Sequence, residues 1–392
     1  MRVEGGHWSW RRGIPLRYLL VAEDRDGEEH PWGGCADVER LFVDPVPLPR
    51  ETLTFLGCSP DGPLRDALQQ PAGAVTRLGD MCVEISNGER PVEWWDLADV
   101  VVSGHRPSGG DGSLVDVVVE AAVTDPDGDS GSGSDRAELG ASSRYGLFAS
   151  GDLSLGSCTG VEGLRVDRPE PAGTPMELIG CEPTELLREA GRDPQQVQWL
   201  KLWALDRHGR PMENRTLVLD PLDPLGLMSS RPSALGKDLL DITLAHGAEA
   251  PPSPSVRLAW DAWYKGAPSE PNLWARYDAE GRRAWSRLAY HNTAAPDLDE
   301  VGGTYHLDGR FVTDPEGLHC ALAEALRGPG AYFGSDWQSF KDCLAGGFGA
   351  AAPFTLHWHD AEAARDSLGD DVTYLGEIVR YLEARGVTVI LR

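Results

Sequence analysis

The sequence predicts a β-rich α+β region over about the first 300 residues, followed by a small α/β domain in which short strands alternate with helices. Three observations support this. Semi-apolar runs centred on Asp-x-x-Gly recur at 18–29, 200–211 and 273–285, and eleven of the thirteen tryptophans precede the last ninety residues. After about residue 303 the apolar spacing switches between strand-like runs and i, i+3, i+4 stripes.

In each Asp-x-x-Gly stretch (YLLVAEDRDGEE, LKLWALDRHGRP, LWARYDAEGRRAW) the Asp can cap local N–H groups and the Gly tolerates positive φ. The expectation is three hairpins in antiparallel sheet. Their unequal spacing argues against a solenoid. The paired rings Trp94/Trp95 and Trp260/Trp263 are read as core filling, because nothing basic accompanies them as a nucleotide platform would need.

Two stretches punctuate the chain. TDPDGDSGSGSDR lacks large apolar residues and AEAPPSPS is proline-rich. They divide the sequence into a β-rich domain 1–124, a linker 125–136, an α+β domain 137–247, a linker 248–255, a hairpin segment 256–302 and a C-terminal domain 303–392. Asp125, Asp127 and Asp129 alternate as in a calcium loop, but Gly131 is seventh and Arg136 twelfth, so a plain linker is expected.

At 392 residues the chain can bury two or three cores, and 41% apolar with 25% charged residues describes a globular protein. No run of eighteen apolar residues occurs, and the first twenty residues do not form a signal peptide, so cytoplasmic placement without a membrane is expected. Seven scattered cysteines without C-x-x-C spacing predict reduced, buried thiols and no metal. A net charge of −26 disfavours nucleic acid and suits a basic protein partner.

Catalytic and cofactor motifs are missing: there is no G-x-x-x-x-G-K-[ST], H-E-x-x-H or G-x-S-x-G. HWHD places His357 and His359 on one face of a strand, half a metal site at most. No enzyme and no cofactor are expected.

GPGAYFGSDWQSFKDCL, from Gly328, resembles a phosphate loop superficially, but Gly328, Gly330 and Gly334 are one residue too widely spaced. A helix precedes it: Asp314 as N-cap, Pro315 first, then Leu318, Ala321, Leu322, Ala325 and Leu326 as a stripe. The loop therefore joins two helices. The second runs from about Asp336 to Leu344, with Trp337, Phe340 and Leu344 inward and Gln338, Lys341 and Asp342 outward. With 304–312, 353–359 and 387–391 as strands and a helix through Leu375, Ile378, Val379 and Leu382, a small parallel sheet covered by helices is expected.

Residues from about Gly303 to Arg392, through YHLDGRFV, GAYFGSDWQSFKDCL, PFTLHWHD and EARGVTVILR, resemble barstar, the family of intracellular inhibitors of secreted microbial ribonucleases. The resemblance covers nearly the whole of that domain but only the last quarter of the chain. It implies a three-stranded parallel sheet and a second helix whose aspartate occupies the phosphate site of a basic ribonuclease; Asp342 stands at that position. Tyr332, Phe333 and Gly334 stand at the family's Tyr-Tyr-Gly loop, and with Gln338, Lys341 and Asp342 make up the expected partner-binding set. Gln338 replaces a frequent second acid, Lys341 adds a positive charge and Tyr381 replaces a peripheral acid. The resulting expectation is a cytoplasmic immunity or antitoxin protein. The alternative is a multidomain scaffold or adaptor in which this domain only docks a protein.

Overall fold

The computed structural model describes residues 2–4, 7–10, 13–24, 28–44, 48–71, 75–88, 90–109, 114–124, 143–149, 153–166, 175–185, 197–212, 217–219, 227–244, 251–294, 296, 298–368 and 372–392. The chain divides into two compact units, Val46–Pro171 and the pair Met1–Pro45 with Ala172–Arg392. The sequence boundary between 124 and 137 therefore does not separate the folded units, and the expected linker 125–136, with its alternating aspartates, lies outside the described residues.

The strands of the first part of the chain are β1 (Arg2–Glu4), β2 (His7–Ser9), β3 (Tyr18–Asp24), β4 (Glu29–Cys35) and β5 (Asp37–Glu39). Unit Val46–Pro171 holds β6 (Arg50–Pro60), α1 (Gly62–Leu68), β7 (Thr76–Asn87), β8 (Arg90–Pro107), β9 (Val115–Thr124), β10 (Ser143–Ala149), β11 (Leu153–Cys158) and β12 (Gly160–Glu162). These strands pair in the order β11-β10-β7-β8-β9-β6, and β11 also pairs with β6, which closes an antiparallel barrel. Closure removes free strand edges. Alternate residues point inward, so Leu53, Phe55, Val83, Ile85, Trp95, Val117 and Val119 fill the interior. The same alternation leaves Trp94 47% exposed beside the fully buried Trp95, which splits that pair between opposite faces.

In the other unit, β3 and β4 form the first expected hairpin and join β13 (Met176–Pro183), β14 (Val197–Ala204), β15 (Leu217–Leu219), β16 (Leu227–Pro232) and β17 (Leu240–Leu244) in the order β15-β14-β3-β4-β13-β17-β16, with β5 on β13. The second Asp-x-x-Gly stretch is a turn: Asp206 Oδ1 accepts from His208 N and Arg210 N, and Gly209 has φ +77°. Strand period identifies strands but not their partners. For this reason residues expected in a separate 137–247 domain instead complete the barrel and extend the sheet of the first strands.

The third expected hairpin is a helix. Segment 256–302 contains α2 (Pro254–Trp263) and α3 (Ala279–Asn292), joined through a 3-10 turn at Leu273–Arg276. Its Asp-x-x-Gly is an N-cap, with the Asp278 carboxylate accepting from Gly281 N at 2.8 Å. The local hydrogen bond is the one a turn would use, but the downstream stripe of Ala284, Trp285, Leu288 and Ala289 has helical spacing and is buried. Ser253-Pro254 starts α2, and Val256, Ala259, Trp260 and Trp263 form its buried stripe.

The remaining elements are β18 (Glu300–Val301), β19 (Thr304–Asp308), α4 (Pro315–Arg327), α5 (Trp337–Leu344), β20 (Ala350–Ala351), β21 (Thr355–His359), α6 (Ala361–Leu368), α7 (Val372–Ala384) and β22 (Thr388–Leu391). β19, β21 and β22 form the expected three-stranded parallel sheet. Leu307, Leu356 and Trp358 bury one face of it.

α2 and α3 link the two sheets of this unit into one continuous core. Trp260 meets Tyr18 and Phe42 at 6.3 and 5.3 Å, and Trp263 meets Trp285 at 5.5 Å. Arg257 grips both oxygens of Asp37 at 2.8 and 2.9 Å. Towards α4, the buried Arg282 pairs with Asp314, the N-cap of that helix, and donates to Thr313 Oγ1 and Ala275 O. A buried guanidinium must be satisfied in this way, because leaving it unpaired costs several kcal/mol, on the order of 3–5.

Candidate protein-docking face

α5 begins where Asp336 accepts from Ser339 N at 2.8 Å and Ser339 Oγ in turn accepts from Asp336 N at 3.1 Å, a reciprocal cap that fixes the first turn. Phe340, Cys343 and Leu344 are buried. At roughly 100° per residue the opposite crest carries Gln338 and Asp342. Both are exposed, and Gln338 Nε2 donates to Asp342 Oδ1 at 3.1 Å. The carboxylate is therefore accessible and held on a rigid helix, with lone pairs left for a partner's donors.

Lys341 lies on one flank, its ammonium 5.4 Å from the Trp337 ring centroid. This cation–π contact draws the charge towards Trp337. Trp337 is half-buried against Phe340, Tyr374 and Tyr381. Tyr381 thus serves as an aromatic support for Trp337.

The other flank carries Ser335 and Ser339, and the half-buried Tyr332 lies against it. Burial raises the Tyr332 phenol above its usual pKa, although the Ser339 and Ser335 hydroxyls offset part of that. Its ring meets Tyr290 of α3 at 4.9 Å and Phe348 at 6.2 Å.

Two expected partner residues are corrected. Phe333 is fully buried and packs edge-on against Phe340 at 6.1 Å, so it belongs to the core and cannot touch a partner. Gly334 is also buried; it has φ +87°, and a Cβ there would lie 2.5 Å from the backbone N and Cα of Phe340. That close approach sends one loop aromatic inward and leaves the other at the surface, so Gly334 shapes the loop.

The loops on either side of α5 are tied down by residues that sequence reasoning missed. Arg327 donates to Phe348 O at 2.8 Å, Tyr332 O at 3.5 Å and Ala294 O at 3.4 Å. Thr293 Oγ1 donates to Gly330 O at 3.1 Å. Asp299 accepts from Gly347 N at 2.7 Å and Gly349 N at 2.6 Å, and these donors hold its carboxyl below the usual range. Most of these contacts join segments some thirty to fifty residues apart, so no local pattern announces them.

On the polar face of the sheet, parallel register sets His306 opposite His357, and His306 Nδ1 lies 3.0 Å from His359 Nε2. The two imidazoles read from HWHD thus gain a third neighbour. The three rings stack at 5.0, 5.3 and 6.5 Å. Among the described residues, no group of three His, Cys, Asp or Glu side chains is arranged to hold a metal ion. No helix among them is long and apolar enough to cross a membrane. All seven cysteines are free, and all but Cys82 are buried.

A family model described as Barstar (barnase inhibitor) matches residues 303–389. A comparison with curated proteins yields no match. The matched residues are those that build the parallel sheet, the reciprocally capped α5 and the exposed Asp342. Barstar is a family of inhibitors, not enzymes, and binds a protein partner. The C-terminal region of this chain, residues 303–389, is therefore a barstar-like domain.

Proposed function

We propose that the chain is a cytoplasmic inhibitor of immunity or antitoxin type that binds a basic microbial ribonuclease and blocks its active site through residues 303–392. The observation that carries this reading is the exposed Asp342 carboxylate on the outer crest of α5. A carboxylate in that position can accept charge-assisted hydrogen bonds from the Arg and Lys side chains that would otherwise hold an RNA phosphate. Enclosure by the nuclease desolvates the contact and makes it dominant, and the barstar family is itself a standard illustration of such an interface hot spot. Residues 303–392 carry 13 acidic and 7 basic residues, a charge sign suited to a basic partner.

The test is inhibition of barnase by the full chain, compared with Asp342→Ala. Inhibition that the substitution weakens at least a hundredfold supports the reading; absence of inhibition, or equal inhibition by both proteins, overturns it for this nuclease. A second reading is a scaffold in which the barstar-like domain is a docking module. The core that continues from this domain through α2 and α3 into the first sheet favours it, because the domain is integrated with the preceding region. It requires a stable complex whose partner retains its activity.

A further inference from the structure

We infer that the docking face extends beyond the matched residues onto α3, with Tyr290 as a residue that contacts the partner, a basic ribonuclease; this rests on the inhibitor reading. Tyr290 lies outside residues 303–389 and is 54% exposed, although its ring meets Tyr332 at 4.9 Å. Tyr332 lies on the flank of α5 beside Ser339, one helical turn before Asp342. A nuclease surface that covers Asp342 and reaches the exposed part of Tyr332 therefore meets Tyr290.

The ring is on the solvent side of α3, since Trp285, Leu288 and Ala289 take the buried side. It is also held in place before any partner arrives. Arg282 anchors α3 to Asp314, the N-cap of α4, and Thr293 anchors the end of α3 to Gly330 in the loop that carries Tyr332. A fixed aromatic with a polar tip loses little conformational freedom on binding, which is why tyrosines are enriched at interface hot spots. The exposed carboxylate of Asp342 fixes the sign of the partner: a positive charge introduced at position 290 would face a basic surface.

The experiment uses the full chain with barnase as the probe and measures the inhibition constant and thermal midpoint for wild type, Tyr290→Phe, Tyr290→Ser, Tyr290→Lys and Asp342→Ala. The expected result is a loss of at least tenfold for Tyr290→Lys, larger at low salt, at least threefold for Tyr290→Ser, and within twofold of wild type for Tyr290→Phe. Tyr290→Ser keeps the comparison readable if the lysine disturbs folding. If Asp342→Ala loses inhibition while Tyr290→Ser and Tyr290→Lys inhibit like wild type, Tyr290 lies outside the face and only this inference falls. If wild type does not inhibit barnase, or Asp342→Ala inhibits equally, the inhibitor reading fails and this inference fails with it.

Discussion

The Gln338 side-chain amide donates a 3.1 Å hydrogen bond to the Asp342 carboxylate one helical turn further along, on the exposed crest of α5. An exposed i, i+4 pair of this kind contributes only about 0.2–0.5 kcal/mol to the helix. Gln338→Glu is therefore expected to leave the thermal midpoint nearly unchanged while placing a second carboxylate on the crest. Association with a basic nuclease should become several-fold faster at low salt, and stopped-flow binding at roughly 1 M salt should erase the gain.

Gly334 is expected to tolerate no side chain. Gly334→Ala imposes positive φ on an L residue and brings a Cβ to 2.5 Å from the Phe340 backbone. A loss of about 3 kcal/mol is expected. Urea unfolding should show it as a lower midpoint at unchanged slope.

His319 makes stability depend on pH. It is 1% exposed, its Nε2 lies 2.6 Å from the Tyr374 hydroxyl, and burial lowers its pKa to about 4. The native state then stays neutral while the unfolded chain takes up a proton below its ordinary pKa of 6.5. Stability from this group is intact above pH 6.5 and falls as pH drops from 6.5 to about 4, by roughly 1.4 kcal/mol per unit, then levels off. Chemical denaturation across pH 4–7 measures the slope, and His319→Gln should flatten it.

The matched residues alone are expected to fold poorly. Without α3, the Asp314 carboxylate loses Arg282, the Gly330 carbonyl loses Thr293, the buried Cys320 loses Ser286, and the apolar side of α4 that shares its core meets water. Large apolar side chains are worth roughly 1.5–3 kcal/mol each when buried. Residues 303–392 should melt well below residues 252–392 and bind a hydrophobic dye, as followed by thermal unfolding.

Thiol chemistry should be slow and ordered. Burial pushes the Cys320 and Cys343 thiols up to about 12 and the half-exposed Cys82 to about 11. Titration of the native chain with a thiol reagent should modify Cys82 first, and the rest only on unfolding.

By itself the sequence determined what depends on neighbours within two helical turns. The Asp314 cap, the start of α5 near Asp336, the stripe through Leu318 and Leu322, the alternation in β21 and the outward place of Asp342 on α5 are all of this kind, because helix and strand periods and capping hydrogen bonds are local. Asp278 marks the limit of such reasoning: the same Asp-x-x-Gly hydrogen bond serves a turn at Asp206 and a helix N-cap at Asp278, and buried Trp285 and Leu288 decide between them. Tertiary structure alone decided which strands share a sheet, which of Tyr332 and Phe333 turns inward, and that Tyr290 stands beside Tyr332. Each of these depends on surfaces brought together from distant parts of the chain, where the free energy of burial, not local preference, selects the partner.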